Sequence, residues 1–227
     1  MKKIHSPNYD NRDKNIALEY IVLHYTGMKD EESAVERLCN PISRVSSHYV
    51  IGENGGIMQL VEEAHRAWHA GESSWHGIKD MNSASIGIEL VNPGHEFGYH
   101  AFPNCQINAL KNLINDIIHR HHMPAETALL AHSDIAPSRK QDPGELFPWQ
   151  TLAQNGLGIW PAPALQDYSP FEEKEAAQLL DFIGYNITRF EPALLAFQRR
   201  FCPQSMGIGS DKETAARLRA IRRRLSA

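Results

Sequence analysis

Three residues could share a piece of chemistry. His24 and His132 each close an apolar, strand-like run, and Asp142 lies ten positions past His132 in the loop HSDIAPSRKQDPG. Two imidazoles and one carboxylate, with a fourth position left open, make the donor count of a catalytic zinc, whereas a structural zinc is closed by four protein ligands. A single histidine at a strand end more often caps backbone groups, so neither imidazole alone carries the reading. Cys39, Cys105 and Cys202 are odd in number and widely spaced, with no CxxC pair, so neither a disulfide framework nor a thiolate zinc finger is indicated. They read as buried small hydrophobes.

The elements around these residues predict an α/β fold, a mixed β-sheet flanked by helices. Residues 16–26, IALEYIVLHYT, form a β-branched run that predicts a buried strand ending at His24, with Gly27 supplying the exit turn. Residues 47–61 place two strand-like runs around Glu53-Asn54-Gly55-Gly56, the signature of a hairpin. In SIGIELV, residues 85–91, Ile86, Ile88 and Leu90 share one face, while Glu89 lies on the other with Gly87 and Val91. Leu110, Leu113, Ile114, Ile117 and Ile118 recur at helical spacing, with Asn104 as the expected N-cap and an end near Arg120. TALLA, residues 127–131, then delivers His132 to a strand end. His119, His121 and His122 fall on the fraying end of the helix and read as a solvated face.

Five segments, VLHYTG (22–27), SSHYVI (46–51), RAWHAG (66–71), SIGIEL (85–90) and HSDIAPSRKQDPG (132–144), occur in the order found in zinc-dependent N-acetylmuramoyl-L-alanine amidases. Over roughly residues 16–160 the chain resembles that family, which includes anhydro-muramyl peptide amidases and, more distantly, phage lysozyme-like amidases and peptidoglycan recognition proteins. The resemblance implies one zinc ion held by His24, His132 and Asp142, and Glu89 and Lys140 as the catalytic pair. Glu89 would accept a proton from the attacking water and pass it to the departing nitrogen. Lys140, two residues before Asp142, would set a cation beside the developing oxyanion, an arrangement that contributes roughly 3 kcal/mol. Trp68, His69 and His48 fall near the cleft by the same resemblance. His69 is expected to line it or to support the metal site, while His48 is as well suited to hydrogen-bonding backbone under the sheet. Asp134 matches no ligand position and reads as a loop-shaping residue that caps backbone amides.

The implied activity is hydrolysis of the amide between N-acetylmuramic acid and L-alanine in peptidoglycan or muropeptides, for wall turnover, remodelling or recycling. The alternatives are a non-catalytic wall-binding protein and a zinc peptidoglycan endopeptidase. A net charge of −4 over 227 residues argues against nucleic acid as a partner. No segment is apolar for long enough to span a bilayer. The N-terminal MKKIHSPNYDNRDKN lacks the apolar stretch of a signal peptide, which predicts a cytoplasmic location, or a periplasmic or envelope one if a leader has been removed.

Past Trp160, the proline-rich PAPALQDYSP (161–170) reads as a linker, dividing a catalytic domain (1–162) from a small helical module (163–227). Capping boxes at Ser169 with Glu172, with Pro170 at the first helical position, and at Ser210 with Glu213 predict the first and last of three helices. In FEPALLAFQRRF between them, Leu194, Leu195 and Phe197 should face a core and Arg199 and Arg200 water. LLAFQRRFCP and GIGSDKETAARL resemble the repeat of three-helix peptidoglycan-binding modules, with a shortened turn. A core this thin should lean on the larger domain.

Overall fold

In the computed structural model, which describes residues 1–169 and 171–227, short strands β1 (Lys2–Lys3) and β2 (Tyr9–Asn11) precede the first long one. The run from residue 16 becomes a strand only over β3 (Tyr20–Tyr25), and Gly27 follows in the left-handed region at φ 58°. Next come α1 (Glu31–Cys39), capped by Asp30, then β4 (Tyr49–Ile51) and β5 (Ile57–Gln59), the expected hairpin, and β6 (His65–Ala67). A short α2 (Met81–Ala84) leads into β7 (Ser85–Leu90). α3 (Gly94–Phe97) and the long α4 (Asn104–His121) follow, with Pro103 rather than Asn104 in the capping position. β8 (Leu129–Ala131) runs directly into α5 (His132–Ile135), and α6 (Trp149–Gln154) closes this part of the chain.

Among the described residues six strands build the main sheet in the order β1-β5-β4-β7-β3-β8, and β2 pairs with β6 apart from it. The sheet is mixed: β3 lies parallel to both β7 and β8, and β4 runs parallel to β7 but antiparallel to β5. Alternation along the central strands sends Ile21, Leu23, Ile86, Ile88 and Leu90 to one face, where Leu110, Ile114 and Ile117 of α4 cover them. Each such fully buried aliphatic side chain stabilises by about 1.5–3 kcal/mol, so the strands carrying the candidate residues are held firmly.

The opposite face is covered by the last three helices, α7 (Glu173–Ile183), α8 (Phe190–Phe201) and α9 (Lys212–Leu225). Val22, Trp75, Leu130 and Ile135 share one apolar cluster with Leu180, Leu194, Phe197, Leu218 and Ile221. The three helices are thus present where expected, and the hydrophobic core runs across the boundary placed near residue 162. Leu165–Tyr168 forms a single 3-10 turn in the proline-rich stretch, pinned by the buried Asp167, which accepts from Arg223 at 2.6 Å.

Several local expectations change. α7 starts at Glu173 after Glu172, not at a Ser169 box, and Pro170 lies outside the described residues. The cap of α9 is Asp211, whose carboxylate accepts from Thr214 N, and Ser210 takes no part. Arg199 and Arg200 are both buried. Arg200 stacks 4.1 Å over Trp149 and donates to Asp134 Oδ2 at 2.5 Å and to Leu129 O at 3.0 Å, so the helix is rotated into the sheet side further than its apolar residues alone suggest. Of the cysteines only Cys202 is buried; Cys105 is exposed. His121 donates to the carboxylate of Glu63 at 2.7 Å instead of facing only water.

Candidate metal centre and cleft

Because β3 and β7 are parallel neighbours in register, His24 sits directly beside Glu89. The residues flanking each in sequence point into the α4 core, so both of these side chains project from the other face, at the carboxyl ends of the strands, where open α/β sheets gather ligands. β8 ends one position before His132, and the loop after α5 returns to the same place: Ser133 N donates to Asp142 O at 3.0 Å. The result is a convergence of three ligand atoms. His24 Nδ1 lies 2.9 Å from His132 Nδ1 and 3.0 Å from Asp142 Oδ2, and the last two are 2.9 Å apart. All three side chains are buried, and their ligand atoms lie within 4.8 Å of one another.

This donor set fits a metal. Two imidazole nitrogens and a carboxylate oxygen meet at one point with the strand ends behind them and a cleft in front, the three-ligand arrangement that leaves a coordination position open. His132 Nε2 faces Ala70 O at 3.0 Å, so that nitrogen carries the proton and leaves Nδ1 free to coordinate. The electrostatics agree. Burial, with the neighbouring His132, pulls the His24 pKa down to about 4, keeping the imidazole neutral as a ligand must be. For Asp142 burial works against ionisation, yet His132 and His24 outweigh it and hold the carboxyl well below its usual range.

A cleft of about 340 Å³ opens in front of these atoms, lined by Glu89, Lys140, Trp68 and His69, by Tyr25 and Thr26 at the end of β3, and by Arg37 and Leu38 of α1. Glu89 keeps a partial opening to it, while its Oε2 is shut away with no hydrogen-bond partner among the described residues. Burial, reinforced by the charge of Asp142 and opposed by Lys140, raises its pKa well above that of an ordinary glutamate. Lys140 is half-exposed on the loop turn closed by its N–H donating to Ala136 O.

Trp68 and His69 therefore belong to the cleft, whereas His48 does not. It is fully buried: Nδ1 accepts from Gly87 N at 2.9 Å and Nε2 lies 2.9 Å from Arg12 Nη2, so both ring nitrogens serve the structure under the sheet. Asp134 shapes its corner as expected, accepting from Ala131 N at 2.8 Å, and is also held by Tyr185 and Arg200 from the C-terminal helices. The sequence offered no sign of Asn82, whose Oδ1 accepts from His69 N and Ala70 N, or of Arg139, which donates to Ala70 O. Asparagine and arginine of this kind look like any loop residue until the chain is folded.

Residues 13–145 match the family model described as N-acetylmuramoyl-L-alanine amidase. The chain belongs to this amidase family. Among curated relatives it is 39% identical over 230 residues to N-acetylmuramoyl-L-alanine amidase AmiD of Escherichia coli, covering 90% of this chain and 82% of the relative. Its fold is similar to that of AmiD solved with anhydro-N-acetylmuramic acid-L-Ala-D-gamma-Glu-L-Lys (TM-score 0.81, 34% identity, 94% of this chain and 93% of that one). It is also similar to AmpDh3 of Pseudomonas aeruginosa in complex with an anhydromuramic pentapeptide (TM-score 0.82, 32% identity, 92% of each chain). Both amidase structures extend over the C-terminal helices, so that part belongs with the amidase architecture. The residues that carried the resemblance to wall-binding modules bond within the helices: Gln198 donates to Gly209 O at 2.7 Å and to Thr214 Oγ1 at 3.0 Å and accepts from Gly207 N. Those motif residues fasten a turn. The basic residues of α9 are likewise engaged, Arg217 over Trp160, Arg222 over Phe182, Arg219 with Glu175 and Arg224 with Glu126. No helix among the described residues is long and apolar enough to cross a membrane.

Proposed function

We propose that the chain hydrolyses the amide joining N-acetylmuramic acid to L-alanine in muropeptides or peptidoglycan, using one zinc ion held by His24, His132 and Asp142. The observation that carries this reading is the meeting of those three ligand atoms within 4.8 Å, at the floor of a cleft that also presents Glu89 and Lys140. A zinc ion supplies Lewis acidity there and lowers the pKa of a water towards about 7.

The protein's own groups do the rest. Glu89 takes the proton of the attacking water and returns it to the amide nitrogen, which then departs as the free amine of L-alanine. Its raised pKa suits both halves of that task, since a proton carrier works best with a pKa near the working pH. Lys140 places its ammonium beside the carbonyl oxygen as that atom gains charge. Trp68 and Leu38 supply apolar wall, which strengthens each of these interactions by excluding water. AmiD and AmpDh3, crystallised with anhydro-muramyl peptides, support this substrate class.

The test is to incubate the zinc-loaded chain with anhydro-muropeptides and identify products by mass spectrometry. Release of an intact stem peptide beginning with L-alanine is expected. Shorter peptides would make the chain an endopeptidase, and binding without any product would make it a wall-binding protein.

A further inference from the structure

The two metal-facing imidazoles are supported from behind in different ways. His132 Nε2 meets the Ala70 carbonyl directly at 3.0 Å. Among the described residues His24 Nε2 meets no carbonyl; it lies 3.1 Å from Nδ1 of another imidazole, His69. Between two neutral rings either nitrogen could carry the proton, and only one assignment leaves His24 able to coordinate through Nδ1. What decides the assignment lies two groups further on.

We propose that His69 and Ser85 form a relay that fixes His24 with its proton on Nε2 and thereby presets Nδ1 as a metal donor; the proposal rests on the metal reading above. Ser85 Oγ donates its one proton to Met81 O at 2.5 Å, and a carbonyl oxygen can only accept. Its remaining lone pairs face His69 Nε2 at 3.4 Å, so that nitrogen carries the ring proton. His69 Nδ1 is then bare and accepts from His24 Nε2. Proton direction is thus passed from a backbone carbonyl of α2, through Ser85 at the start of β7 and the His69 ring, to the ligand atom on β3. The acceptor for His24 is a neutral ring where a carboxylate would otherwise serve, so the support adds no negative charge near the metal and leaves it more electrophilic.

The surroundings are built for this. A Cβ on Gly87 would lie 2.4 Å from His69 Cγ, so the bare strand position makes the room that the ring occupies. Asn82 Oδ1 accepts from both His69 N at 3.0 Å and Ala70 N at 2.7 Å. One amide oxygen therefore holds a dipeptide that provides an acceptor to each of the two metal-binding imidazoles, a side chain for His24 and a carbonyl for His132. His69 acts through His24 and is a positioning residue.

Zinc affinity, measured by competition with a chromophoric chelator, tests the relay apart from turnover. His69→Leu removes the acceptor and is expected to weaken zinc binding about 10- to 100-fold. His69→Asn puts Oδ1 where Nδ1 stood and should restore binding to within a few-fold of the parent. In the zinc-loaded parent, nitrogen-15 NMR of the histidine rings should find the His69 proton on Nε2, a readout that needs no variant and stands if His69→Leu does not fold. Unchanged affinity in His69→Leu, equal weakening in His69→Asn, or a His69 proton on Nδ1 would each overturn the relay. Absence of zinc binding by the parent would instead overturn the metal reading.

Discussion

Replacing Glu89 with glutamine separates what this carboxylate does for the reaction from what it costs the fold. Oε2 of Glu89 is enclosed without a hydrogen-bond partner among the described residues, and Asp142 adds a like charge nearby. Glutamine keeps the shape and leaves its own amide equally unpartnered, but it has no charge to bury, and each unit by which burial raises a carboxyl pKa corresponds to about 1.4 kcal/mol against the ionised form. Glu89→Gln should therefore stabilise the metal-free protein by about 1–2 kcal/mol at pH 8, a rise of roughly 2–8 °C in melting temperature for a chain of this size. The sign follows from the direction of the shift. The folded pKa lies above the unfolded value of about 4.3, so well below pH 4 both states of the parent are protonated and the variant gains nothing. As pH rises through that window the unfolded parent releases its proton first, and the advantage of the variant grows to a plateau above the folded pKa.

Turnover should move the opposite way, falling by about 10²–10⁴ for loss of a general base, with zinc retained because Glu89 is not a ligand. Thermal melts with chelator at pH 4.5 and pH 8, beside zinc content and product release, read all three quantities. The reasoning is refuted if Glu89→Gln melts with the parent at pH 8, if its advantage is as large at pH 4.5, or if turnover stays within tenfold.

Asp142→Ala removes one of three donors and should abolish both zinc retention and turnover; zinc content after dialysis distinguishes this from the Glu89 variant. Lowering the pH from 7.5 to 4 should destabilise the metal-free protein. His24, held near pKa 4 by burial, contributes stability that is fully present above its unfolded pKa of about 6.5 and is lost as pH falls towards 4. Denaturant midpoints across that range should fall, and His24→Gln should flatten this part of the profile. Arg200→Met strands the fully buried Asp134 carboxylate and should cost about 3–5 kcal/mol in urea unfolding, with Asp134→Asn in the same background recovering part of it. Gly87→Ala should lower zinc affinity by driving the added methyl into His69, seen in the chelator competition.

What was legible in the sequence follows the range of the forces involved. The strand carrying Glu89 could be placed because period-two alternation of Ile86, Ile88 and Leu90 is written locally, and α4 because its apolar residues recur at helical spacing. The candidate metal ligands are far apart in the chain and were proposed through five ordered motifs; the sheet brings them together, since β3 and β7 pair in register and β8 ends just before His132. The orientation of α8 was misread because Arg199 and Arg200 are charged and charge usually marks solvent. Burial of Arg200 is made favourable by partners on other elements, the Asp134 carboxylate at 2.5 Å, Leu129 O and the Trp149 ring, and no local pattern encodes them. His48 had two open readings, the cleft or the space under the sheet, and nothing local in the sequence chooses between them. Its two bonds, to Gly87 N and Arg12, come from segments distant in sequence.

That buried pair also bears on why the C-terminal helices accompany this cleft. Asp134 follows His132 by two residues, and its carboxylate holds Ala131 N at the end of β8 while taking hydrogen bonds from Tyr185 and Arg200. The corner that aims one metal ligand is therefore clamped by groups from beyond residue 162, and Leu130 just before it packs in the same apolar cluster as Leu194 and Phe197. A ligand atom displaced by a fraction of an ångström weakens a mononuclear site, since metal affinity depends on geometry fixed before binding. Gln198 of the motif that resembles wall-binding modules, and the arginines of α9, are engaged in fastening the helices to one another and to the rest of the chain. On these contacts the helices support the corner that carries His132. Arg200→Met should thus lower zinc affinity even at temperatures where the protein remains folded, whereas a module that only gripped the wall would leave the metal untouched.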